Sequence, residues 1–134
     1  VWGWSGGGSF TLNLMTNTKE FKAGVSVAPV TDWHYYDTKW AEFAMKRPVD
    51  NPDGYEKTSF IKSANKLHGS LLLVHGTYDD NVHPQNSWHF IDELVKANIQ
   101  FDMMFYPMRK HGIADDAARI HLYNKMLKFW DDNL

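Results

Sequence analysis

An unbroken apolar run, SLLLVHG, occupies residues 70–76 of this 134-residue chain. Every position from Leu71 to Val74 is apolar, whereas a strand with one face in water alternates apolar and polar residues. Strands that are covered by helices on both faces carry such continuous runs. The run therefore predicts a buried strand of a parallel sheet.

Two weaker stretches predict further strands of the same sheet. One follows Gly24, and its apolar members are Val25, Val27, Ala28 and Val30. The other covers residues 101–106 and is closed by Pro107, which cannot donate a backbone hydrogen bond to a neighbouring strand.

Apolar residues that recur every three or four positions predict amphipathic helices between and after these strands. In residues 84–98 they are Trp88, Ile91 and Val95, and near the carboxyl end they are Ile120, Tyr123, Leu127 and Trp130. A further helix is predicted over residues 9–15. Asp115 and Asp116 suit the start of the last helix because its N-terminal dipole favours negative charge. Strands that alternate with helices indicate an α/β fold, with a mainly parallel sheet flanked by helices.

Residues 30–67 show no regular spacing and are rich in aromatic and charged residues. We expect short helices and loops there. Because binding residues are often carried on loops beside a rigid sheet, this segment is the predicted place for a pocket.

Length and composition limit the classes of function. The chain is long enough for one domain with a single core. Its 14 Lys and Arg residues nearly balance its 16 Asp and Glu residues, so we expect no nucleic-acid partner. The absence of cysteine excludes disulfides, thiolate catalysis and cysteine-based zinc sites. No apolar run reaches the roughly 20 residues of a membrane-spanning helix.

A serine motif of the form G-x-S-x-G matches GWSGG at residues 3–7. In enzymes that use this motif, the serine lies on a tight turn between a strand and a helix, where flanking side chains would be crowded. An ordinary glycine-rich loop shows the same pattern, so both interpretations stay open at this point.

Two further candidate groups follow predicted strands. Asp79 and Asp80 come after the strand at residues 70–76, and His111 comes after the last predicted strand. Because the carboxyl ends of parallel strands meet at one edge, a carboxylate there could orient a histidine. The order Ser5, aspartate, His111 is the nucleophile, acid, base order of the α/β-hydrolases. The pattern does not choose between the two aspartates, which could also shape a turn and cap the next helix.

Six other histidines raise the question of a metal site: His34, His68, His75, His83, His89 and His121. None of them pairs with another histidine in a ligand spacing such as H-x-x-x-H beside an acidic residue. We therefore expect surface or loop positions for most of them, no metal ion and no cofactor.

Several longer strings carry a family resemblance. They are VWGWSGGG at residues 1–8, VAPV at 27–30, WHYYD at 33–37, HGTYDDNVH at 75–83 and HGIA at 111–114. Together they resemble the carboxyl-terminal hydrolase domain of the prolyl oligopeptidase family, in its dipeptidyl peptidase IV branch. The resemblance covers essentially the whole chain, and the two strings that begin with histidine are more specific than the serine motif.

The resemblance implies a serine peptidase that cleaves a peptide substrate after proline through an acyl-enzyme. Ser5 would be the nucleophile, Asp79 the acid and His111 the base, and the backbone N–H of Gly6 would donate to the oxyanion. The substrate-binding residues that the resemblance implies are Val30, Trp33, Tyr36, Trp40, Asn81 and Val82. An aromatic, apolar wall suits the rigid proline ring, although Val30 by itself is equally typical of a hydrophobic core.

Two positions depart from the family pattern. Gly6 stands where the dipeptidyl peptidase IV branch has a tyrosine. Because glycine has no side chain, one wall of the pocket is missing. Trp40 stands where another pocket tyrosine is expected. The size of the pocket and its preference for proline therefore stay open.

The resemblance therefore assigns residues 1–134 to the carboxyl-terminal part of an α/β-hydrolase domain. A complete domain of this type has about 250 residues, near the upper size of a single core. The resemblance thus places the amino-terminal half, a second oxyanion donor and a β-propeller in the remainder of the polypeptide, which we expect to be a partner of this segment. On their own, these 134 residues are expected to be poorly active. The resemblance also implies a homodimer.

Two other functions fit the same residues. An acylaminoacyl peptidase or a carboxylesterase has the same triad but does not require the aromatic residues between Trp33 and Trp40. A non-catalytic binding homologue would keep the fold without the reaction, and the presence of all three triad residue types argues against it.

Overall fold

The computed structural model describes residues 1–134 and contains one four-stranded sheet. Its strands are β1 (Trp2–Trp4), β2 (Ala23–Val27), β3 (Ser70–Gly76) and β4 (Asp102–Tyr106). They lie in that order across the sheet, and each pair of neighbours is parallel. The predicted α/β class with a parallel sheet is confirmed.

Five α-helices connect and follow the strands: α1 (Gly6–Asn17), α2 (Thr38–Met45), α3 (Pro52–Thr58), α4 (Gln85–Lys96) and α5 (Asp116–Asn133). The short helices α2 and α3 lie between β2 and β3 together with 3₁₀ turns at Trp33–Tyr35, Pro48–Asp50 and Ile61–Lys66, as the sequence predicted. Asp115 caps α5, because its side chain accepts a hydrogen bond from the backbone N–H of Ala118 at 3.0 Å. None of these helices combines the length and the apolar character that crossing a membrane requires.

The apolar run of β3 separates two hydrophobic cores. Leu72 and Val74 pack into one core together with residues of β2 and α5. Leu71 and Leu73 point to the opposite face and pack with residues of α1 and α4. Both faces of β3 are therefore covered by helices, which is the physical reason for its continuous apolar sequence.

The apolar spacing predicted the buried face of α4 only in part. Ile91 packs against the core, but Trp88 and Val95 are exposed, and the fully buried apolar residues of the helix are Phe90 and Leu94. The buried stripe also contains polar residues whose hydrogen bonds are made inside the fold, such as Asn86. Because these polar positions lower the apparent hydrophobicity of the buried face, the apolar spacing identified only part of that face.

The same holds for α5. Of the predicted stripe, Trp130 packs against the core, whereas Ile120, Tyr123 and Leu127 are exposed. The buried residues of the helix are Ala118, Leu122, Met126 and Phe129. α5 carries two apolar stripes at helical spacing. Periodicity detects both stripes but cannot determine which one faces the sheet.

The strand β2 ends at Val27, three residues before the end of the predicted stretch. Ala28 has a φ of 46°, in the left-handed region, so the chain turns out of the sheet there. Val30 is nevertheless buried, and the hydroxyl of Ser9 bonds to both its backbone N–H and its C=O, which replaces the partners that a strand would supply. Residues 28–30 are therefore buried, as a strand would be, although they do not belong to β2.

The polar residues singled out by the sequence lie beyond the carboxyl ends of the strands. Ser5 follows β1 directly, Asp79 lies in the turn after β3, and His111 lies in the loop between β4 and α5. In a parallel sheet these ends share one edge, which is where ligands bind in open α/β sheets.

Candidate active site

Ser5 occupies a sharp turn between β1 and α1. Its φ of 56° and ψ of −120° lie outside the regions that residues other than glycine commonly adopt. The turn is held by the backbone N–H of Ser5, which donates to the carbonyl oxygen of Val27 at 2.8 Å. Backbone strain of this kind, fixed by neighbouring structure, is typical of a serine presented for nucleophilic attack.

The glycines around Ser5 have different reasons to be glycine. A Cβ added at Gly3 would overlap the backbone carbonyl of Gly7, and one at Gly8 would lie 2.7 Å from the carbonyl oxygen of Val27. A Cβ at Gly6 or Gly7 meets nothing within 4 Å. Crowding therefore requires glycine at positions 3 and 8, whereas the crowding that the motif implied for position 7 is absent.

Gly6 offers a backbone N–H beside Ser5. As the first residue of α1, it has no helical carbonyl one turn earlier to accept its hydrogen bond. An unpaired N–H at a helix N-terminus can donate to developing negative charge. The geometry is therefore compatible with the predicted oxyanion donor.

Asp79 is 2% exposed and its carboxylate has a partner for each oxygen. Its Oδ1 accepts hydrogen bonds from the backbone N–H groups of Asn81 at 3.0 Å and Val82 at 2.9 Å, and its Oδ2 accepts one from His111. Burial raises the pKa of this carboxyl, but the hydrogen bonds from His111 and His75 outweigh burial and hold the pKa of Asp79 well below its usual range. The carboxylate is therefore ionised at neutral pH.

Asp80, the other aspartate, points away from this arrangement. Its Oδ2 accepts a hydrogen bond from the Nζ of Lys110 at 2.7 Å, and both side chains are exposed. The structure thus separates two residues that the sequence pattern could not distinguish.

His111 contacts Asp79 directly. Its Nδ1 lies 2.7 Å from Oδ2 of Asp79, and because an ionised carboxylate can only accept, Nδ1 carries the hydrogen. This leaves Nε2 of the neutral ring as a free acceptor. The loop around His111 is held by Arg119, whose guanidinium donates to the carbonyl oxygens of Gly112 and Ile113.

Trp4 links the serine turn to the histidine loop. Its indole Nε1 donates to the carbonyl oxygen of His111 at 2.9 Å, across 107 residues of sequence. The hydroxyl of Ser5 itself makes no hydrogen bond to His111 in this conformation. Hydrogen bonds of this kind are often absent until substrate binds. The structure therefore joins Asp79 to His111 directly and brings Ser5 to the same loops through its neighbour Trp4.

An aromatic cluster lies beside the Asp79 turn. The rings of Trp33 and Trp40 stack with centroids 5.1 Å apart, and Tyr36 meets both rings edge-on. The phenol of Tyr36 donates to Oδ1 of Asn81 at 2.9 Å. Four of the six predicted substrate residues are therefore in contact with one another and form one surface: Trp33, Tyr36, Trp40 and Asn81.

Comparison with known proteins places this chain in a family. The model of the prolyl oligopeptidase family matches residues 1–134. This chain belongs to the prolyl oligopeptidase family. It is 42% identical over 130 residues to the probable dipeptidyl-aminopeptidase B of Aspergillus oryzae. The aligned region covers 94% of this chain and 14% of that relative. It is 41% identical over 133 residues to dipeptidyl peptidase 4 of Bos taurus, covering 96% of this chain and 17% of the relative.

A solved structure shares the same fold. The crystal structure of dipeptidyl peptidase 4 of Porphyromonas gingivalis superposes with a TM-score of 0.97 at 46% identity, covering 99% of this chain and 19% of that one. The sheet and helices of this chain therefore have the α/β-hydrolase fold of the prolyl oligopeptidase family. The chain spans between 14% and 19% of the length of these three relatives.

Val30 and Val82, which the resemblance to the prolyl oligopeptidase family implies as pocket residues, are buried. They are 2% and 0% exposed, so neither presents side-chain surface to a ligand in this conformation. A substrate could reach them only if the packing around them opened. Their role in a pocket stays a prediction, and their observed position is in the core.

His75 is the exception among the six histidines, most of which we expected at the surface or in loops. It lies in β3 and is 0% exposed, and both of its ring nitrogens have partners. Its place directly after Val74 in the buried run was the available signal. Of the other five, His34, His83, His89 and His121 are exposed and His68 is half-buried. No group of three histidine, cysteine or acidic side chains is arranged to hold a metal ion.

Proposed function

We propose that the protein is a serine peptidase that removes dipeptides from peptides by cleavage after proline. The observation that carries the proposal is the 2.7 Å contact between Nδ1 of His111 and the buried carboxylate of Asp79, at the sheet edge where the strained Ser5 turn also lies. The relatives that support the choice of reaction are named as dipeptidyl peptidases.

The proposed reaction uses each group in turn. Nε2 of His111 removes the hydroxyl proton of Ser5 as Oγ attacks the carbonyl carbon of the substrate. Asp79 keeps the ring in the tautomer with hydrogen on Nδ1 and stabilises the imidazolium that forms. The N–H of Gly6 donates to the oxyanion. His111 then protonates the leaving amine, and water releases the acyl group from Ser5 by the same steps.

The aromatic cluster is the proposed binding surface for proline. A pyrrolidine ring is rigid and apolar, and flat rings such as Trp33 and Trp40 can cover it without leaving an amide hydrogen unpaired. Asn81, held by the phenol of Tyr36, can use its side-chain amide N–H to bind the substrate backbone. Gly6 carries no side chain, and a Cβ there would meet no atom within 4 Å, so the space beside Ser5 is free for a substrate.

We further propose that the remainder of the polypeptide completes the site. β1 is an edge strand of the sheet, and the exposed side chain of Trp2 lies on it. Additional strands can pair with this edge, and a second oxyanion donor and the groups that bind the substrate amino terminus would come from the same part of the protein. A homodimer, which the family resemblance implies, also stays a prediction.

Substrate comparison with the full-length protein tests the proposal. We expect hydrolysis of a Gly-Pro ester to exceed that of an alanine ester and a butyrate ester, and Ser5→Ala to abolish it while Ser63→Ala, in a 3₁₀ turn away from the site, retains it. Faster cleavage of the alanine or butyrate ester would instead indicate an acylaminoacyl peptidase or a carboxylesterase. No hydrolysis dependent on Ser5 would indicate a non-catalytic homologue.

A further inference from the structure

His75 lies behind the proposed acid, between β3 and α4. Its Nδ1 is 2.7 Å from Oγ of Ser87 on α4, and its Nε2 is 2.8 Å from the carbonyl oxygen of Val82. The same Nε2 is 3.2 Å from Oδ2 of Asp79. All of these side chains are buried, so water does not supply alternative partners.

The partners of His75 determine its tautomer. A carbonyl oxygen can only accept, so Nε2 of His75 carries a hydrogen that points to Val82. The hydroxyl of Ser87 has no other partner, and it is satisfied when it donates to a bare Nδ1. The neutral ring with hydrogen on Nε2 therefore satisfies every polar group in the set, whereas a ring with hydrogen on Nδ1 alone would leave the Val82 carbonyl without its donor.

This hydrogen-bond chain supports the turn that carries the acid. Val82 donates its N–H to Oδ1 of Asp79 and accepts a hydrogen bond from His75 through its carbonyl oxygen. His75 therefore holds Val82 in place, and Val82 in turn holds the carboxylate of Asp79. The nitrogen Nε2 itself lies 3.2 Å from Oδ2, the oxygen that His111 contacts, so the dipole of the Nε2–H group lies close to that oxygen. Both effects act on the orientation and charge of the same carboxylate.

We propose that His75 is a positioning residue, locked by Ser87 in its Nε2–H tautomer, which holds the Val82 turn and aims Oδ2 of Asp79 at His111. The inference rests on the proposed catalytic role of the Asp79–His111 pair. His75 makes no hydrogen bond to Ser5 or to the aromatic cluster, and its polar contacts are with Ser87, Val82 and Asp79, so it acts on the reaction through the Val82 turn and Asp79.

A core histidine that merely fills space would leave the pH dependence of catalysis unchanged. If His75 acts on Asp79, its loss alters the hydrogen bond between Nδ1 of His111 and Oδ2 of Asp79, and the acid limb of the pH profile, which depends on that pair, moves. The other ionisable groups near Asp79 are the Asp80–Lys110 ion pair and the phenol of Tyr36, whose pKa is raised by burial and by the charges of Asp37 and Asp79. The variants below leave all of these groups in place.

The test compares His75→Phe with His75→Gln in the full-length protein. Phenylalanine keeps a flat ring but removes both nitrogens, whereas the amide of glutamine can still donate near the position of Nε2. We expect His75→Phe to lower kcat/KM about tenfold or more and to move the acid limb of its pH profile. We expect His75→Gln to recover most of the rate and the wild-type limb. His121→Phe, on α5, is the matched control and should change neither.

Two further measurements keep the outcome decisive. Ser87→Ala, a smaller change on α4, should shift the acid limb in the same direction by a smaller amount if Ser87 locks the ring. The low-field proton NMR signal of the His111 Nδ1–H, identified by its loss in Asp79→Asn, should move in His75→Phe. An unmoved signal and an unmoved acid limb in His75→Phe would overturn the role of His75, whatever the change in rate.

The proposed function can fail separately. If the wild-type protein shows no hydrolysis that depends on Ser5, the peptidase proposal fails. The NMR signal then still decides whether His75 orients the Asp79–His111 pair.

Discussion

Nδ1 of His111 lies 2.7 Å from Oδ2 of Asp79, across 32 residues of sequence. The contact joins the loop after β4 to the turn after β3. Because Oδ1 is already held by the backbone N–H groups of Asn81 and Val82, the carboxylate cannot rotate away from the imidazole without breaking three hydrogen bonds. A carboxylate fixed in this way sets both the orientation and the tautomer of the histidine.

Asp79→Asn should abolish most activity while leaving the fold intact. The asparagine amide can donate to Nδ1 and so favour the tautomer with hydrogen on Nε2, which cannot accept the serine proton. We expect kcat to fall by about 10⁴-fold, the effect known for this change in a serine-histidine-aspartate triad. Asp80→Asn is the matched control, because its exposed ion pair with Lys110 should contribute little to catalysis or stability. A comparable loss in both variants would contradict the assignment of the acid.

Asp79 should also contribute to stability in a pH-dependent way. Its pKa in the folded protein lies below the ordinary value of 3.8, because hydrogen bonds from His111 and His75 outweigh the effect of burial. A lowered pKa means that the contribution is complete above the unfolded-state value and is lost as the pH falls through the folded-state value.

The difference in unfolding free energy between wild type and Asp79→Asn should therefore shrink as the pH falls below the ordinary value of 3.8. Urea unfolding at a series of pH values measures it. A difference that stays constant through this acidic range would mean that folding does not lower the pKa of Asp79.

The glycines near Ser5 give a matched pair of stability variants. Gly3→Ala places a Cβ against the backbone carbonyl of Gly7, and overpacking of rigid backbone should cost at least about 2 kcal/mol. Gly6→Ala meets no atom within 4 Å, and alanine restricts the unfolded chain, so it should be neutral or stabilising by up to about 1 kcal/mol. Thermal unfolding of both variants checks the order, and equal losses would show that the serine turn is built differently.

Trp4 should affect turnover through the position of His111. Trp4→Phe removes the indole N–H that donates to the His111 carbonyl while keeping an aromatic ring. Because small displacements of a catalytic group are costly, we expect kcat to fall by about 10- to 100-fold with little change in KM. Trp88→Phe changes an exposed indole on α4 and should leave kcat unchanged. Equal rates for wild type and Trp4→Phe would show that the indole does not hold the loop.

The parallel sheet and the loops after its strands were predictable from the sequence, because the continuous apolar run of β3 is typical of a strand buried on both faces. An apolar run such as Leu71 to Val74 requires cover on both faces, and strands alternating with helices then require parallel connections. The meeting of the loops that carry Ser5, Asp79 and His111 at one edge follows from that topology. The choice of Asp79 over Asp80 came from the family resemblance, since adjacent aspartates differ only in where their side chains point.

The buried faces of the helices and the place of His75 could not be predicted from apolar spacing. α4 buries polar residues such as Asn86 and Ser87, because hydrogen bonds to Thr31 and His75 compensate their loss of water. α5 presents two apolar stripes of similar length, and only contact with the sheet separates them. His75 was missed for the same reason as Ser87: a polar residue in the core is recognised by its partners, and those partners are distant in sequence or on another element.

Covalent labelling is the most direct test of the claim that Ser5, His111 and Asp79 form one reactive site. The full-length protein is treated with a fluorophosphonate, and the modified residue is located by peptide mass spectrometry. We predict a single adduct on Ser5 that is lost in His111→Ala and retained in His121→Ala. An adduct on another serine, or labelling of Ser5 that does not depend on His111, would contradict the account.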